Sequence, residues 1–186
     1  MKHISLNLGA PGDRRDARGT VWLAYPRPRP SRETSLDLSL DVVAKFAGST
    51  DFQALNAERT LVQGTDASWV YSSWANGLSS LSIPLLGKGD APATYNIRLH
   101  FAEFQKRQPE QRVFNVKVQG KTVIEGLDIL KSTGKLKQAL VQNIPNVAVS
   151  DHLKIEFEAA DGTKAVPVLS AVEAIRVGGE VESGGE

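Results

Sequence analysis

The chain contains no cysteine, which removes disulfide frameworks, thiolate catalysis and Cys-based zinc sites from consideration. It also lacks a long apolar run. The longest uncharged apolar stretch, Ala165 to Val172, has eight residues and includes Pro167 and Ser170, whereas a spanning helix needs about 20; no membrane insertion is expected. Met1-Lys2-His3 is followed by too few apolar residues before Gly9-Ala10-Pro11-Gly12 to form the core of a secretory signal, so export would rely on a signal outside this segment. An excess of charge of one sign is missing too. Lys plus Arg number 22 against 21 Asp plus Glu, a formal net charge of +1, and no nucleic-acid partner is expected from so balanced a surface. Long helical periodicity is absent, and no internal repeat of useful length is found.

What is present is the composition of one globular domain, with 186 residues of which 41% are hydrophobic. A domain of this length buries about 68–70% of its unfolded surface and needs no disulfide or metal to fold. Period 2 dominates. Leu36, Leu38, Leu40, Val42, Ala44 and Phe46 alternate with Ser35, Asp37, Ser39, Asp41, Val43 and Lys45, giving a strand with one apolar face. Tyr95, Ile97, Leu99 and Phe101 repeat the pattern against Thr94, Asn96, Arg98 and His100, as do Phe114, Val116 and Val118, and Leu153, Ile155 and Phe157. Gln119-Gly120-Lys121 supplies a hairpin turn that returns Thr122-Val123-Ile124 alongside, and the run Val166 to Val177 reads as a buried central strand. The only helical candidate is a short turn around Phe52 to Arg59. These patterns predict an all-β fold, an antiparallel β-sandwich of the jelly-roll type. The domain is expected to span residues 1–177. Pro26-Arg27-Pro28-Arg29-Pro30 reads as an extended surface loop, and Gly178 to Glu186, with four Gly and three Glu, as a flexible tail or linker.

Few constellations carry chemistry. Arg14, Arg15, Arg18, Arg27, Arg29 and Arg32 crowd one segment but read as a solvated loop face. His3, His100 and His152 have no metal-ligand spacing, and His100 falls on the outward phase of its strand as a surface imidazole. Asp13, Asp16 and Asp128 lack the alternation of a calcium loop and read as loop and cap residues. Glu103, Glu125, Asp128 and Asp161 are the acids a glycosidase would draw on, each better explained structurally. The aromatics are more suggestive. Trp22, Tyr25, Trp69, Tyr71, Trp74 and Phe104 fall mainly in loops or strand ends, where a ring can stack on a sugar face or, alternatively, fill the core.

Three ordered blocks, Tyr95-Asn-Ile-Arg-Leu-His-Phe-Ala-Glu103, Gln111-Arg-Val-Phe-Asn-Val-Lys-Val-Gln-Gly120 and Val123-Ile-Glu-Gly-Leu-Asp-Ile129, together resemble the malectin domain family. Pro167 to Ile175 resembles its closing strand. The segment Leu6 to Pro26 is similar to bacterial malectin-like modules of large multidomain proteins. The resemblance implies a jelly-roll sandwich that binds glucose-containing oligo- or polysaccharides through loop aromatics and an acid, without catalysis or cofactor, in an extracytoplasmic protein. By position it points to Trp74, to Phe104 and Lys106 after Phe101-Ala-Glu103, and to Asp161, with Tyr71, Tyr25 and Trp22 as further ring candidates. The sequence departs from the family where an adjacent aromatic pair is replaced by Gln105-Lys106, leaving Phe104 alone. Two functional classes follow: a carbohydrate-binding module, or an interaction or structural domain that packs on neighbouring domains of a longer chain. A glycosidase is the third and least supported reading.

Overall fold

A computed structural model of the chain describes residues 1–27, 40–48, 50–163 and 165–178. Its elements in chain order are β1 (His3–Leu8), β2 (Arg14–Arg15), β3 (Val21–Tyr25), β4 (Val43–Phe46), β5 (Phe52–Ala54), α1 (Ser68–Tyr71), β6 (Ser73–Asn76), β7 (Leu78–Pro84), β8 (Ala93–Phe101), β9 (Phe114–Val118), β10 (Lys121–Leu127), α2 (Ile129–Thr133), β11 (Leu140–Val149), β12 (His152–Ala159), β13 (Val168–Leu169) and β14 (Ala171–Arg176). A six-stranded sheet in the order β11-β8-β14-β1-β3-β2 faces a five-stranded sheet in the order β10-β9-β12-β7-β4, and β13-β6-β5 forms a third, small sheet. Ile4, Leu6 and Leu8 of β1, Tyr95, Ile97, Leu99 and Phe101 of β8, and Val172 and Ala174 of β14 meet Leu81 and Ile83 of β7, Phe114, Val116 and Val118 of β9, and Leu153, Ile155 and Phe157 of β12 in one buried core. The alternating residues of the sequence thus form the two inner faces of a β-sandwich.

The hairpin at Gln119-Gly120 is as expected. Both residues have positive φ, and Lys121 pairs with Val118 across the two-residue turn. One pairing departs from an all-antiparallel sheet: β1 and β3 run parallel, with Ser5 opposite Trp22 and Leu8 opposite Tyr25. The chain between them doubles back through β2, and Asp13 holds the crossover by accepting a hydrogen bond from Ala24 N at 2.8 Å.

Four sequence expectations need correction or restriction. Phe52 to Arg59 is not helical: Phe52–Ala54 is a strand paired with β6, and the Asn56 side chain accepts from Glu58 N and Arg59 N, a local bond that competes with helix formation. Val166 to Val177 is not one strand. At Ser170, which donates its N–H to His100 O and accepts from Leu8 N, the chain steps from the small sheet into the centre of the large one. Of the strand expected from Leu36, only the part from Leu40 and of the proline-rich loop only Pro26 and Arg27 lie within the described residues. Two one-turn helices went unread, although Asp128 accepts from Lys131 N as the N-cap of α2 and Gly134, at φ 73°, closes it.

Gly77 joins β6 to β7 at φ +80°, and a Cβ there would lie 2.1 Å from Thr50 Oγ1. Left-handed backbone alone costs an L-residue about 1–2 kcal/mol. Gly77→Ala is therefore expected to lower the unfolding free energy by more than that, read as a reduced urea midpoint with an unchanged slope.

Candidate functional site

Two regions of the molecule collect chemically capable groups. The first lies where β8 runs out into a loop. Glu103 and Arg112 are almost wholly buried and pair through Arg112 Nη1 and Glu103 Oε2 at 3.2 Å. Gln105 N donates to Glu103 Oε1 at 2.9 Å, Arg112 Nη2 donates to Gln105 Oε1 at 3.0 Å, and Lys137 N donates to Glu103 O at 2.9 Å. Burial pushes the Arg112 guanidinium below its ordinary pKa, and the Glu103 charge opposes that push. The pair clamps both ends of the 104–111 loop. Phe104, half-buried, lies flat against Trp74 with ring centroids 5.1 Å apart and planes 5° from parallel. Lys106 and Asp161 are exposed. The turn that carries Asp161 is tied to the same loop, because Thr163 Oγ1 donates to Gln111 O at 2.8 Å and Ala160 N to Val113 O at 2.9 Å.

The second region is a groove of about 680 Å³ on the outer face of the six-stranded sheet. Its floor is sheet and its walls are loop and α1. Register sets out a row across five strands: Asn143 opposite Arg98, Arg98 opposite Glu173, Glu173 opposite Ser5, and Ser5 opposite Trp22. Asp16, Arg18 and Thr20 form one wall, and Gly64 to Ala67, Val70 and Tyr71 the other. Beneath it Trp22, Val62, Ala67, Val70, Tyr71, Ala102 and Ala171 make a second apolar cluster, with Trp69, Phe104 and Ala139 packed against it.

That cover explains a correction. His100 does point outward from β8, yet it is buried, with Trp22 edge-on at 5.3 Å. A carboxylate only accepts, so His100 Nε2–H donates to Glu173 Oε1 at 2.9 Å, and Nδ1 shares a hydrogen bond of 2.9 Å with the Tyr71 hydroxyl. His3 Nε2 approaches Glu173 Oε2 at 3.5 Å and Arg98 Nη1 approaches Oε1 at 3.9 Å. Burial works against the Glu173 charge, but the His100 hydrogen bond and the nearby His100, Arg98 and His3 charges outweigh it and hold the carboxyl below its ordinary value. Asp16 follows the same logic, with burial outweighed by hydrogen bonds from Trp22 Nε1 at 3.1 Å and from the N–H groups of Thr20 and Arg18. Burial, reinforced by the Glu173 charge, pushes the Tyr71 phenol well above its usual range.

The structure therefore distributes the seven sequence candidates over three places. Trp74, Phe104, Lys106 and Asp161 belong to the loop end. Trp22 and Tyr71 line the groove, both with rings almost wholly buried. Tyr25 lies apart from both: its ring meets Phe52 at 5.8 Å and its hydroxyl donates to Val42 O at 2.9 Å. Sequence reasoning missed Arg98, Asn143 and Glu173; the readable signal was a lone acid, Glu173, inside a mostly apolar run. Two of the acids a glycosidase would need are spent structurally, Glu103 on Arg112 and Asp128 on α2. Of the arginine-rich segment, Arg14 pairs with Glu58 and lies 5.0 Å over the Trp69 ring, Arg18 pairs with Asp66, and Arg27 pairs with Asp13; Arg29 and Arg32 fall outside the described residues. No group of three or more His, Asp or Glu side chains among the described residues is arranged to hold a metal ion, and no described helix is long and apolar enough to cross a membrane.

Comparison with known proteins agrees with this architecture. The Malectin domain model matches residues 33–175, and the chain belongs to that family. A probable leucine-rich repeat receptor-like serine/threonine-protein kinase of Arabidopsis thaliana is 31% identical over 90 residues, 45% of this chain and 8% of that protein. Among solved structures, the ANXUR2 extracellular domain of Arabidopsis thaliana superposes with a TM-score of 0.67 at 18% identity, over 93% of this chain and 48% of that one. A Bacteroides uniformis beta-glucuronidase superposes with a TM-score of 0.68 at 17% identity, over 94% of this chain and 18% of the enzyme. The chain thus spans a small part of the curated relative and less than half of these structures, which share its fold.

Two measurements test the energetics. Removing one partner of a buried pair strands the other charge, so Arg112→Leu is expected to cost about 3–5 kcal/mol in chemical denaturation. Because the Glu173 carboxyl is depressed from its ordinary 4.5, the stability it contributes is fully present above that pH and is lost as pH falls through the folded-state value. Melting temperatures between pH 7 and pH 3 should fall less steeply in Glu173→Gln than in the wild type.

Proposed function

We propose that this domain is a non-catalytic carbohydrate-binding module of an extracytoplasmic protein, one that takes a glucose-containing oligo- or polysaccharide at the loop end of the sandwich. Membership of the Malectin domain family supports the class. The observation that carries the site is the ring pair: Phe104 is half-buried, backed by Trp74 in parallel contact and fixed by the Glu103–Arg112 clamp. A ring held from behind loses little freedom when a sugar settles on its other side. Lys106 and Asp161, exposed on loops that hydrogen bonds tie together, supply a donor and an acceptor for hydroxyls. With Gln105-Lys106 in place of an aromatic pair, Phe104 acts as a single stacking surface and polar contacts take a larger share of recognition.

A second reading, an interaction domain docked on neighbouring parts of a longer chain, is favoured by one observation. Leu55 and Leu61, in the segment before α1, are exposed, Leu61 to 79%.

Titration of tryptophan emission against α- and β-glucans separates the two. The sugar reading expects a saturable change with one glucan class, because Trp74 lies under Phe104, and about a tenfold weakening in Phe104→Ala, equivalent to about 1.4 kcal/mol, with a smaller loss in Lys106→Ala. Trp74→Ala is the poorer control, since truncating a buried tryptophan costs about 3–5 kcal/mol of stability. A flat response from folded protein across the panel would transfer the assignment to the interaction domain.

A further inference from the structure

We propose that the groove on the outer face of the six-stranded sheet is a second binding site, which takes a neutral oligosaccharide laid across β11, β8 and β14. The inference rests on the carbohydrate reading above but places sugar on the outer face of the sheet, against lining residues that do not include Phe104, Lys106 or Asp161.

The row Asn143–Arg98–Glu173 crosses three neighbouring strands about 4.8 Å apart, so polar groups recur at a regular spacing along the groove floor. Two of them are unspent. The Arg98 side chain is 46% exposed and its Nη1 stands 3.9 Å from Glu173 Oε1, near enough for Coulomb attraction and too far for a hydrogen bond. Among the described residues its guanidinium has no hydrogen-bond acceptor, which leaves a planar fork of donors facing the cavity. Asn143, exposed beside it, also makes no side-chain hydrogen bond among the described residues and offers both a donor and an acceptor. On the wall, Arg18 and Asp66 are paired at 3.3 Å with both side chains largely exposed, presenting a second donor and acceptor to the mouth.

The layer beneath is built differently. Glu173, His100 and Tyr71 are bonded to one another, and Asp16 to Trp22 and two backbone N–H groups. An apolar floor would be no less stable than such a buried polar network. What the network does supply is position: it fixes the carboxylate that holds Arg98 and joins the α1 wall to β8 and β14 through three side chains. A groove whose supports are locked and whose floor keeps Arg98 and Asn143 free of hydrogen bonds among the described residues is preorganised for a ligand.

The chemistry of the rim selects that ligand. Two guanidiniums, Arg18 and Arg98, and the imidazoles of His3 and His100 face three carboxylates, Asp16, Asp66 and Glu173, so neither sign prevails and a strongly anionic or strongly cationic ligand meets like charge. Trp22 and Tyr71 are too deeply buried for ring stacking. Alternating donors and acceptors over a shallow polar floor match the hydroxyls of a neutral sugar, and 680 Å³ lies within the usual range for a small-molecule cleft.

The test is an amide and indole chemical-shift titration of the ¹⁵N-labelled protein with cellotriose, maltotriose and xylotriose, beside trigalacturonic acid. The expected result is saturable shifts at Arg98, Asn143, Asp66, Ala67 and the Trp22 indole with a neutral trisaccharide. Those shifts should weaken at least tenfold in Asn143→Ala and Arg98→Gln and persist in Phe104→Ala. Asn143 is exposed and outside the buried network, so its variant folds even where Arg98→Gln does not. Shifts confined to the 104–111 loop, abolished in Phe104→Ala and intact in Asn143→Ala, would overturn the groove and leave the carbohydrate reading standing. Tighter groove binding of trigalacturonic acid than of any neutral trisaccharide would overturn the assigned ligand class. The absence of any shift with these sugars or with the glucan panel would remove the groove and the carbohydrate reading together.

Discussion

The six-stranded sheet is covered on its inner face throughout and on its outer face in part, and most of the molecule's unusual features follow from that constraint. The inner face meets the second sheet through alternating aliphatic and aromatic residues. Among the described residues the outer face meets only α1, loop and the edge of the small sheet at Ser73 of β6. It is shielded over part of its width by the short segment around α1, whose Val70 and Tyr71 pack with Trp22 over Ala171. Polar side chains that period 2 assigns to water, Ser5, Asn7, His100 and Glu173, are thereby buried, and each must find a partner within the protein. The Tyr71–His100–Glu173 chain is that solution, and Ser73 Oγ donating to Asn7 Oδ1 at 3.2 Å is another.

A similar economy operates at the loop end. Glu103 and Arg112 stand at the two edges of a loop that would otherwise be held by its own backbone alone. Their pairing adds little net stability, since desolvation offsets most of the Coulomb attraction, but it leaves one low-energy arrangement for the chain between them. Phe104 inherits its orientation from that arrangement and from Trp74 behind it. The two residues most prominent in the motif blocks, Glu103 and Arg112, are therefore scaffold, and the groups they position are less distinctive in sequence.

The fold was legible because alternation reports burial directly. Tyr95 to Phe101, Phe114 to Val118 and Leu153 to Phe157 each present one apolar phase, and each forms a strand in which that phase is buried. The hairpin at Gln119-Gly120 was legible for an equally local reason, positive φ. What escaped was decided by distant chain. Nothing within ten residues of His100 says that α1, some thirty residues earlier, covers it. The interruption at Ser170 was hidden because both halves of the run are apolar and buried, in different sheets. Ring residues were hardest to place: type alone does not distinguish Trp74, which backs another ring, from Phe104, which fronts it.

The position of β14 carries a further consequence. The last strand of the fold is a middle strand of its largest sheet, bonded to β8 on one side and β1 on the other. Until it arrives, β1 and β8 have no neighbour to join them, and the two halves of the sheet remain separate edges with exposed ladder groups. The β1–β14 ladder joins residues far apart in sequence, His3 opposite Ile175, and contacts of such separation are the slow kind for a folding polypeptide.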